Sequence, residues 1–160
     1  MSKKLLSNYD SDSRVTLHPV NYNQLERVLN FLEDNDGVKV STIGNSDGVV
    51  FERLDSITLY GGERKDIGKR SIYALDIEPR KDKIGQFFIV AGHHPVEPAG
   101  PAAAIQFVAE LLKSTSAEAR TLRDHYHITV IPMVDVDYFS LPVRKRIYTT
   151  TNNFYHKFTR

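Results

Sequence analysis

A histidine and a glutamate three positions apart, His94 and Glu97, are the residues of this sequence best suited to chemistry. They lie in the stretch Ala-Gly-His-His-Pro-Val-Glu-Pro, between an apolar run and a helix-like segment. An imidazole nitrogen and a carboxylate oxygen in one loop can share a cation, and zinc accepts this combination of ligands. The same two side chains can instead make loop hydrogen bonds and cap the helix that follows. The local pattern leaves a zinc site and a purely structural loop as alternatives.

The sequence on either side of this loop predicts a strand–helix–strand unit. Residues 87–91 are continuously apolar, which is typical of a central strand covered on both faces. Pro101 suits the first position of a helix, and apolar side chains recur behind it at helical spacing. A shorter helix is predicted over residues 116–123, and a buried strand that ends at a proline is predicted over residues 127–133. In open α/β sheets ligands bind beyond the carboxyl ends of strands, so the loop after the first strand is a favoured position.

The rest of the sequence predicts one further helix and several short strands. Asn23 and Glu26 form a capping-box pattern, and the apolar residues behind them share one helical face. Strands are predicted over residues 38–40, 57–60 and 71–77, and a plain turn over residues 44–48. Residues 1–14 are polar and are expected to form a flexible arm. Together these elements predict an α/β fold in a single domain that spans residues 1–160.

Composition excludes several classes of function. The chain has no cysteine, which excludes disulfides, thiol nucleophiles and iron–sulfur clusters. A net charge of +1 gives no overall basic balance for nucleic acid. No apolar run approaches the ~20 residues of a membrane span, and the N-terminus lacks the apolar stretch of a signal peptide. The sequence therefore predicts a soluble, cytoplasmic protein that binds neither nucleic acid nor membrane.

The charge is unevenly distributed along the chain. After Asp137 every charged side chain is basic. These basic residues are Arg144, Lys145, Arg146, Lys157 and Arg160. Such a segment is either a solvated tail or a local anion site.

Five features follow one another in a fixed order along the chain. Tyr22 opens the first helix, Thr-Ile-Gly-Asn-Ser-Asp-Gly follows at residues 42–48, and the strand at 71–77 comes next. The His-x-x-Glu pair is then followed by Ile-Pro-Met-Val-Asp-Val-Asp at residues 131–137. This series resembles the zinc metallocarboxypeptidases, the carboxypeptidase A-like M14 peptidases, whose members carry I-G-x-S-x-x-G, H-x-x-E and P-x-x-N-x-D-G in this order. The resemblance covers roughly residues 20–160. It implies a mixed, mostly parallel twisted sheet with helices on both faces, incomplete at its C-terminal side.

Carried onto this sequence, the resemblance implies His94 and Glu97 as zinc ligands. His93 stands where members usually have an apolar residue, and it could compete as a ligand or hydrogen-bond to one. Arg144 lies near the position of the arginine that polarises the scissile carbonyl, a large catalytic term. Arg146 takes that role if the register slips, and it is otherwise expected to contact the substrate.

Several positions depart from the family pattern. Asp135 stands where members often have asparagine, and Tyr138 replaces a glycine. Tyr155 and His156 align with the Asn-Arg pair that binds the terminal carboxylate of the substrate, but they lack arginine's bidentate fork. The family's third zinc ligand, a histidine, and its general-base glutamate have no match in the sequence. The chain is therefore interpreted as the N-terminal portion of a larger catalytic domain.

Three hypotheses about function follow. The first is zinc-dependent hydrolysis of peptide or amide bonds by a metal-activated water. The second is a deacylase of the aspartoacylase and succinylglutamate desuccinylase type, which resembles the same H-x-x-E arrangement and acts on N-acyl amino acids. The third is a non-catalytic module that keeps the fold and binds an anion or a protein. In each case an incomplete sheet would expose a strand edge that invites pairing, and the alternatives for its partner are a second copy of the chain and a missing C-terminal segment.

Overall fold

Four strands pair into one sheet in the computed structural model, which describes residue 19 and residues 21–51, 65–94 and 97–140. The strands of the chain are β1 (Val38–Asn45), β2 (Val49–Phe51), β3 (Lys65–Ile67), β4 (Ser71–Ile77), β5 (Gly85–Val90) and β6 (Tyr126–Ile131). The helices are α1 (Tyr22–Glu33), α2 (Ala99–Lys113), α3 (Ala117–His125) and α4 (Val136–Phe139). The four-stranded sheet has the order β1-β4-β6-β5, and β2 pairs with β3 in a separate two-stranded sheet.

The sheet is mixed, as predicted, but the described strands are not mostly parallel. β1 pairs with β4 and β4 with β6 in antiparallel fashion. β5 and β6 are parallel over six consecutive residue pairs, without a bulge. Parallel neighbours need a long crossover connection, and in the described part of the chain only the β5–β6 connection contains helices, α2 and α3. The predicted strand–helix–strand unit is therefore present, and the remaining strands join it antiparallel.

Helix α1 begins earlier than the capping-box pattern predicts. Its N-cap is Asn21, whose side-chain oxygen accepts a hydrogen bond from the backbone N–H of Gln24 at 3.0 Å. Asn23 lies inside the helix, and the Glu26 carboxylate accepts a hydrogen bond from the Tyr73 hydroxyl at 3.0 Å instead of capping. Asn21 has the extended backbone that a cap requires, so backbone conformation rather than the sequence pattern selects the cap.

The two crossover helices agree with their predicted positions to within a few residues. α2 starts at Ala99, so Pro101 lies in its first turn, where the missing proline N–H costs no helical hydrogen bond. α3 is capped by the Ser116 side chain, which accepts from the Ala119 N–H at 3.2 Å. β6 begins at Tyr126 and ends at Ile131, immediately before Pro132.

One hydrophobic core packs the helices against a single face of the sheet. Leu75 and Ile77 of β4 face Val130 and Ile128 of β6 across the ladder, and all four side chains are buried in this core. The buried side chains contributed by the helices are Tyr22, Leu25, Val28, Leu29, Leu32, Ala104, Ile105, Val108, Leu111, Ala119, Val136 and Phe139. Because side chains alternate across a strand, the intervening residues form the other face of the sheet.

That second face is polar at its centre. Asp76 of β4 accepts hydrogen bonds from the Thr129 hydroxyl at 2.6 Å and pairs with the His127 ring at 3.1 Å. All three side chains are only partly buried. The core residues of the described helices pack with Leu75, Ile77, Ile128 and Val130, which lie on the other face of the sheet. This part of the chain therefore shows one of the two helical layers that were predicted.

The prediction that residues 87–91 form a strand is confirmed by β5, while the central position of this strand in the sheet stays a prediction. Within the described residues β5 lies at one end of the strand order and pairs with β6. Phe87, Phe88 and Val90 are 46%, 65% and 45% exposed. An apolar run reports that a strand avoids water, but it does not say which polypeptide covers that strand.

Some predictions fall outside the described residues, namely the arm at 1–14 and the strand at 57–60. In the described parts of the chain, no helix is both long and apolar enough to cross a membrane.

Candidate functional site

Two loops leave the sheet side by side, because β5 and β6 are parallel neighbours and their carboxyl ends coincide. Three backbone hydrogen bonds join the loops. The Ala91 N–H donates to the Ile131 carbonyl at 2.9 Å, and the Ala91 carbonyl accepts from the Val134 N–H at 3.2 Å. The Asp135 N–H donates to the Gly92 carbonyl at 2.9 Å. The loop that contains the His-x-x-Glu pair is thus fixed at its base to the loop that follows β6.

Gly92 makes this close approach possible. Its φ of 69° lies in the left-handed region, which strains any residue with a Cβ. A Cβ added there would lie 2.8 Å from the Met133 Cα and 3.1 Å from the Pro132 carbonyl oxygen, both backbone atoms. A glycine is therefore required where the two loops touch.

His94 and Glu97 lie beyond this contact, with both side chains exposed. The Glu97 N–H donates to the His94 carbonyl at 3.0 Å, which ties the two residues together through the backbone. Within the described residues neither side chain has a hydrogen-bond partner, so the structural alternative, in which they cap α2 or hold the loop, gains no support. The N-cap of α2 is Pro98, and no side chain caps that helix. His93 is also exposed.

Asp135 approaches the same loop from β6. Burial raises the pKa of its carboxyl group, and the neighbouring Asp137 carboxylate raises it further. Two other interactions lower this pKa. The Tyr138 N–H donates to the Asp135 side chain at 3.3 Å, and His94 contributes its charge. Asp135 also serves as the N-cap of α4. Its carboxylate therefore contributes to the electrostatic field around His94 while its hydrogen bond goes to α4.

Asp137 has a structural role that the sequence did not reveal. Its carboxylate accepts a hydrogen bond of 2.5 Å from the Ser46 hydroxyl, 91 positions away. Ser46 in turn accepts from the Arg70 N–H at 2.9 Å and donates its own N–H to the Arg70 carbonyl at 2.8 Å. The stretch at 44–48 was predicted to be a plain turn, but β1 extends to Asn45 and Ser46 binds the loop after β6. The only sequence signal was that both residues belong to the motif series.

Comparison with known proteins identifies the family. The sequence profile of the zinc carboxypeptidases, the M14 peptidases, matches residues 65–148, which is more than half of the chain. The chain belongs to the zinc carboxypeptidase family. The resemblance drawn from the motif series is thereby confirmed.

Solved structures agree with this family at the level of the fold. Bovine thrombin-activatable fibrinolysis inhibitor, solved in complex with a tick carboxypeptidase inhibitor, superposes with a TM-score of 0.51 and is 20% identical. The match covers 78% of this chain and 34% of that one. A crystal structure of thrombin-activatable fibrinolysis inhibitor gives a TM-score of 0.50 at 21% identity, over 74% of this chain and 25% of that one. This zinc carboxypeptidase-family chain thus spans about a third or less of these relatives. No curated protein matches it.

The described residues do not contain a complete set of metal ligands. A catalytic zinc is usually held by three protein ligands and a water. Among the described residues no three histidine, aspartate or glutamate side chains are grouped so that they could hold a metal ion. The donor types and the exposure of His94 and Glu97 are compatible with zinc, and no third candidate ligand is grouped with them among the described residues.

The two described histidines outside this loop, His125 and His127, have structural contacts. The His125 ring hydrogen-bonds to the Asp82 carbonyl at 3.0 Å, and the His127 ring contacts Asp76 on the second face of the sheet. Neither residue belongs to the loops at the carboxyl ends of β5 and β6. The remaining predicted site residues lie outside the described residues, and they are Arg144, Arg146, Tyr155 and His156.

Proposed function

We propose that this chain contributes a zinc-binding histidine and glutamate to a carboxypeptidase-like hydrolase of peptide or amide bonds. The observation that carries the proposal is the placement of His94 and Glu97. They share one loop at the carboxyl end of a parallel strand, and both side chains are exposed. Neither side chain makes a hydrogen bond to the described residues. Membership of the zinc carboxypeptidase family supports the same metal.

In this proposal His94 donates an imidazole nitrogen and Glu97 a carboxylate oxygen to the ion. Bound zinc would lower the pKa of a water molecule and polarise the scissile carbonyl. The backbone bonds from Gly92 to Asp135 and from Ala91 to Val134 hold the base of the loop, so the two ligands start from a fixed platform. The Asp135 carboxyl group lies close enough to His94 for their charges to interact, so its ionised form would favour a cation at this end of the sheet.

Substrate recognition is assigned to the basic segment after Asp137. We propose Arg144 as the side chain that stabilises the developing oxyanion, with Arg146 as its substitute or as a contact to substrate. Tyr155 and His156 would meet the substrate's carboxylate through single hydrogen bonds rather than through a bidentate arginine fork. The proposed substrates are therefore peptides or small amides that carry a carboxylate, and selectivity for a C-terminal carboxylate is expected to be weak.

Zinc affinity tests the ligand assignment before any assay of turnover. The dissociation constant for zinc is measured by competition with a chromophoric chelator for the unmodified chain and for the His94→Ala and Glu97→Gln variants. Because the proposal gives this chain two zinc ligands, the loss of either one should weaken zinc binding by about tenfold or more. The His93→Ala variant is the matched control, because His93 is the adjacent exposed histidine. If only His93→Ala weakens binding, or if all variants bind as the unmodified chain does, the assignment is wrong.

A deacylase is the second candidate, and the residues Tyr155 and His156 favour it. They replace the Asn-Arg pair by which carboxypeptidases bind a terminal carboxylate, and a small N-acyl amino acid depends less on such a clamp. Zinc-loaded protein is assayed with an N-acylated dipeptide and with an N-acyl amino acid of the same side chain. Faster release from the dipeptide supports a carboxypeptidase, and faster release from the acyl amino acid supports a deacylase. Zinc binding without turnover of either substrate fits both a non-catalytic module and a chain that lacks the family's general-base glutamate, so only a measurable rate decides between the two enzymes.

A further inference from the structure

Two exposed arginines, Arg80 and Arg120, lie at the end of the sheet opposite the proposed zinc site. Arg80 lies in the loop that joins β4 to β5, and Arg120 lies on α3, which leads into β6. Both therefore precede the amino ends of the parallel strands, whereas the two candidate site loops follow the carboxyl ends. Neither guanidinium group makes a hydrogen bond or an ion pair with the described residues. Both groups are thus available for a ligand that the zinc site does not involve.

Backbone hydrogen bonds fix the loop that carries Arg80 to the end of α3. The Arg80 N–H donates to the Arg123 carbonyl at 3.1 Å, and the Lys81 N–H donates to the Asp124 carbonyl at 2.8 Å. These bonds satisfy carbonyls that a helix leaves free in its last turn, so basic side chains are not needed there as caps. Arg120 precedes Arg123 by three positions, and helical residues at this spacing are neighbours on one face. Arg80 and Arg120 are thus both neighbours of Arg123.

Arg123 supplies a fixed positive charge beside them. It is 6% exposed, its guanidinium group donates to the Leu111 carbonyl of α2, and its Nε has no hydrogen-bond partner among the described residues. Burial lowers the pKa of Arg123, and the charges of Arg80 and Arg120 lower it further. Asp124 acts in the opposite direction and raises this pKa. The two exposed arginines therefore repel a charge that its bond to α2 holds in place.

The carboxylate whose charge acts on Arg123 is already paired. Asp124 accepts from the Lys81 ammonium group at 2.6 Å. With Lys81 included, the interacting group has four cationic side chains and one carboxylate, which leaves three positive charges in excess. Arg80, Lys81 and Arg120 are exposed, and charged side chains are seldom covered by protein unless they are paired. This end of the sheet therefore has the composition of a surface that remains in contact with water, unlike the uncharged strand β5.

From this arrangement we propose that Arg80 and Arg120 bind a phosphate group, with Arg123 adding its fixed charge beside them. A guanidinium group presents its N–H donors in a planar fork that matches two phosphate oxygens. A carboxylate has two oxygens and is satisfied by one such fork, whereas a phosphate group has acceptors for both. Its charge of nearly −2 near pH 7 also offsets more of the local excess. The phosphate group is either the inorganic ion or part of a small phosphate ester.

A titration with inorganic phosphate tests this site in zinc-free buffer of constant ionic strength. Amide resonances in two-dimensional NMR should show saturable shifts centred on residues 79–84 and 119–126, and these shifts give the dissociation constant. Arg80→Gln and Arg120→Gln should each raise that constant by about fivefold or more, because each removes one charged fork. Arg27→Gln is the matched control, since Arg27 is an exposed arginine of α1, and it should leave the constant unchanged.

Asp124→Asn should act in the opposite direction. It removes the competing carboxylate and frees the Lys81 ammonium group, so phosphate should bind about threefold more tightly or better. Comparison of inorganic phosphate with O-phosphoserine shows whether the preferred ligand is the free ion or an ester. The proposal is overturned if phosphate gives no saturable shift, if the Arg27→Gln control weakens binding equally, or if Asp124→Asn weakens it. Shifts centred on residues 144–146 would place the phosphate on the basic C-terminal segment and overturn it as well.

Discussion

The loops that follow β5 and β6 begin at the same end of the sheet and have opposite characters. In the loop after β6, Met133 and Phe139 are fully buried, and the carboxylate of Asp137 is held by Ser46. In the loop after β5, His94 and Glu97 are exposed, and they make no side-chain hydrogen bond to the described residues. The loop after β6 is a scaffold loop, whose polar groups bond within the protein. The loop after β5, called the ligand loop below, leaves the polar groups of two side chains available. A ligand site needs both, because free donors must start from a rigid support.

The largest effect should come from the core of the scaffold loop. Phe139 is completely buried, so Phe139→Ala leaves a cavity and should lower the free energy of unfolding by about 3–5 kcal/mol. Urea unfolding followed by circular dichroism measures this change. A loss below about 1 kcal/mol would show that the loop after β6 is not the scaffold.

The contact between the loops should give the next effect. Gly92→Ala forces a Cβ into a left-handed conformation and to within 2.8 Å of the Met133 backbone. The expected destabilisation is about 1–3 kcal/mol, accompanied by weaker zinc binding because the base of the ligand loop must shift. Gly44→Ala is the control, since a Cβ there meets nothing within 4 Å and the backbone is not left-handed. Equal stability of the two variants would contradict the described contact.

The hydrogen bond between the motifs should have a moderate effect. Ser46→Ala removes the donor to Asp137 and leaves a mostly buried carboxylate without it, which should cost about 1–3 kcal/mol. Ser114→Ala, between α2 and α3, serves as the comparison, because the Ser114 hydroxyl accepts a local, exposed hydrogen bond from the Ser116 N–H at 3.2 Å. Thermal and urea unfolding of both variants separate a specific loss from the effect of removing a hydroxyl group.

The smallest effect on stability should come from the ligand loop itself. His94→Ala and Glu97→Gln change exposed side chains with no hydrogen-bond partner in the described part of the chain, so stability in zinc-free buffer should stay within about 0.5 kcal/mol. The same urea experiments measure it. A loss above 1 kcal/mol in either variant would mean that this loop also serves as scaffold.

Local sequence patterns predicted much of the fold and fewer of its long-range contacts. The alternation at 71–77 predicted β4 with both its ends, because period-2 hydrophobicity reports directly on a half-buried strand. The cap of α1 was misplaced by two residues, since Asn21 and Asn23 have equal capping chemistry and only backbone conformation distinguishes them. The apolar run at 87–91 predicted β5, but an apolar run cannot state which strands lie beside it, since pairing depends on distant parts of the chain.

The candidate site was predictable to the extent that it is local. His94 and Glu97 were predicted as ligands because their chemistry and spacing occur within four residues after an apolar strand. The bond from Ser46 to Asp137 spans 91 positions, and no local pattern reports it. The approach of Asp135 to the ligand loop depends on the parallel register of β5 and β6, which a sequence does not state.

A zinc titration followed by amide resonances in two-dimensional NMR tests the metal site most directly. Saturable shifts should be confined to residues 91–98 and to the adjoining residues 132–137, and they should vanish in a chain that carries both His94→Ala and Glu97→Gln. Shifts centred instead on His125 and His127, or none in the loop after β5, would contradict the assignment of His94 and Glu97 as metal ligands.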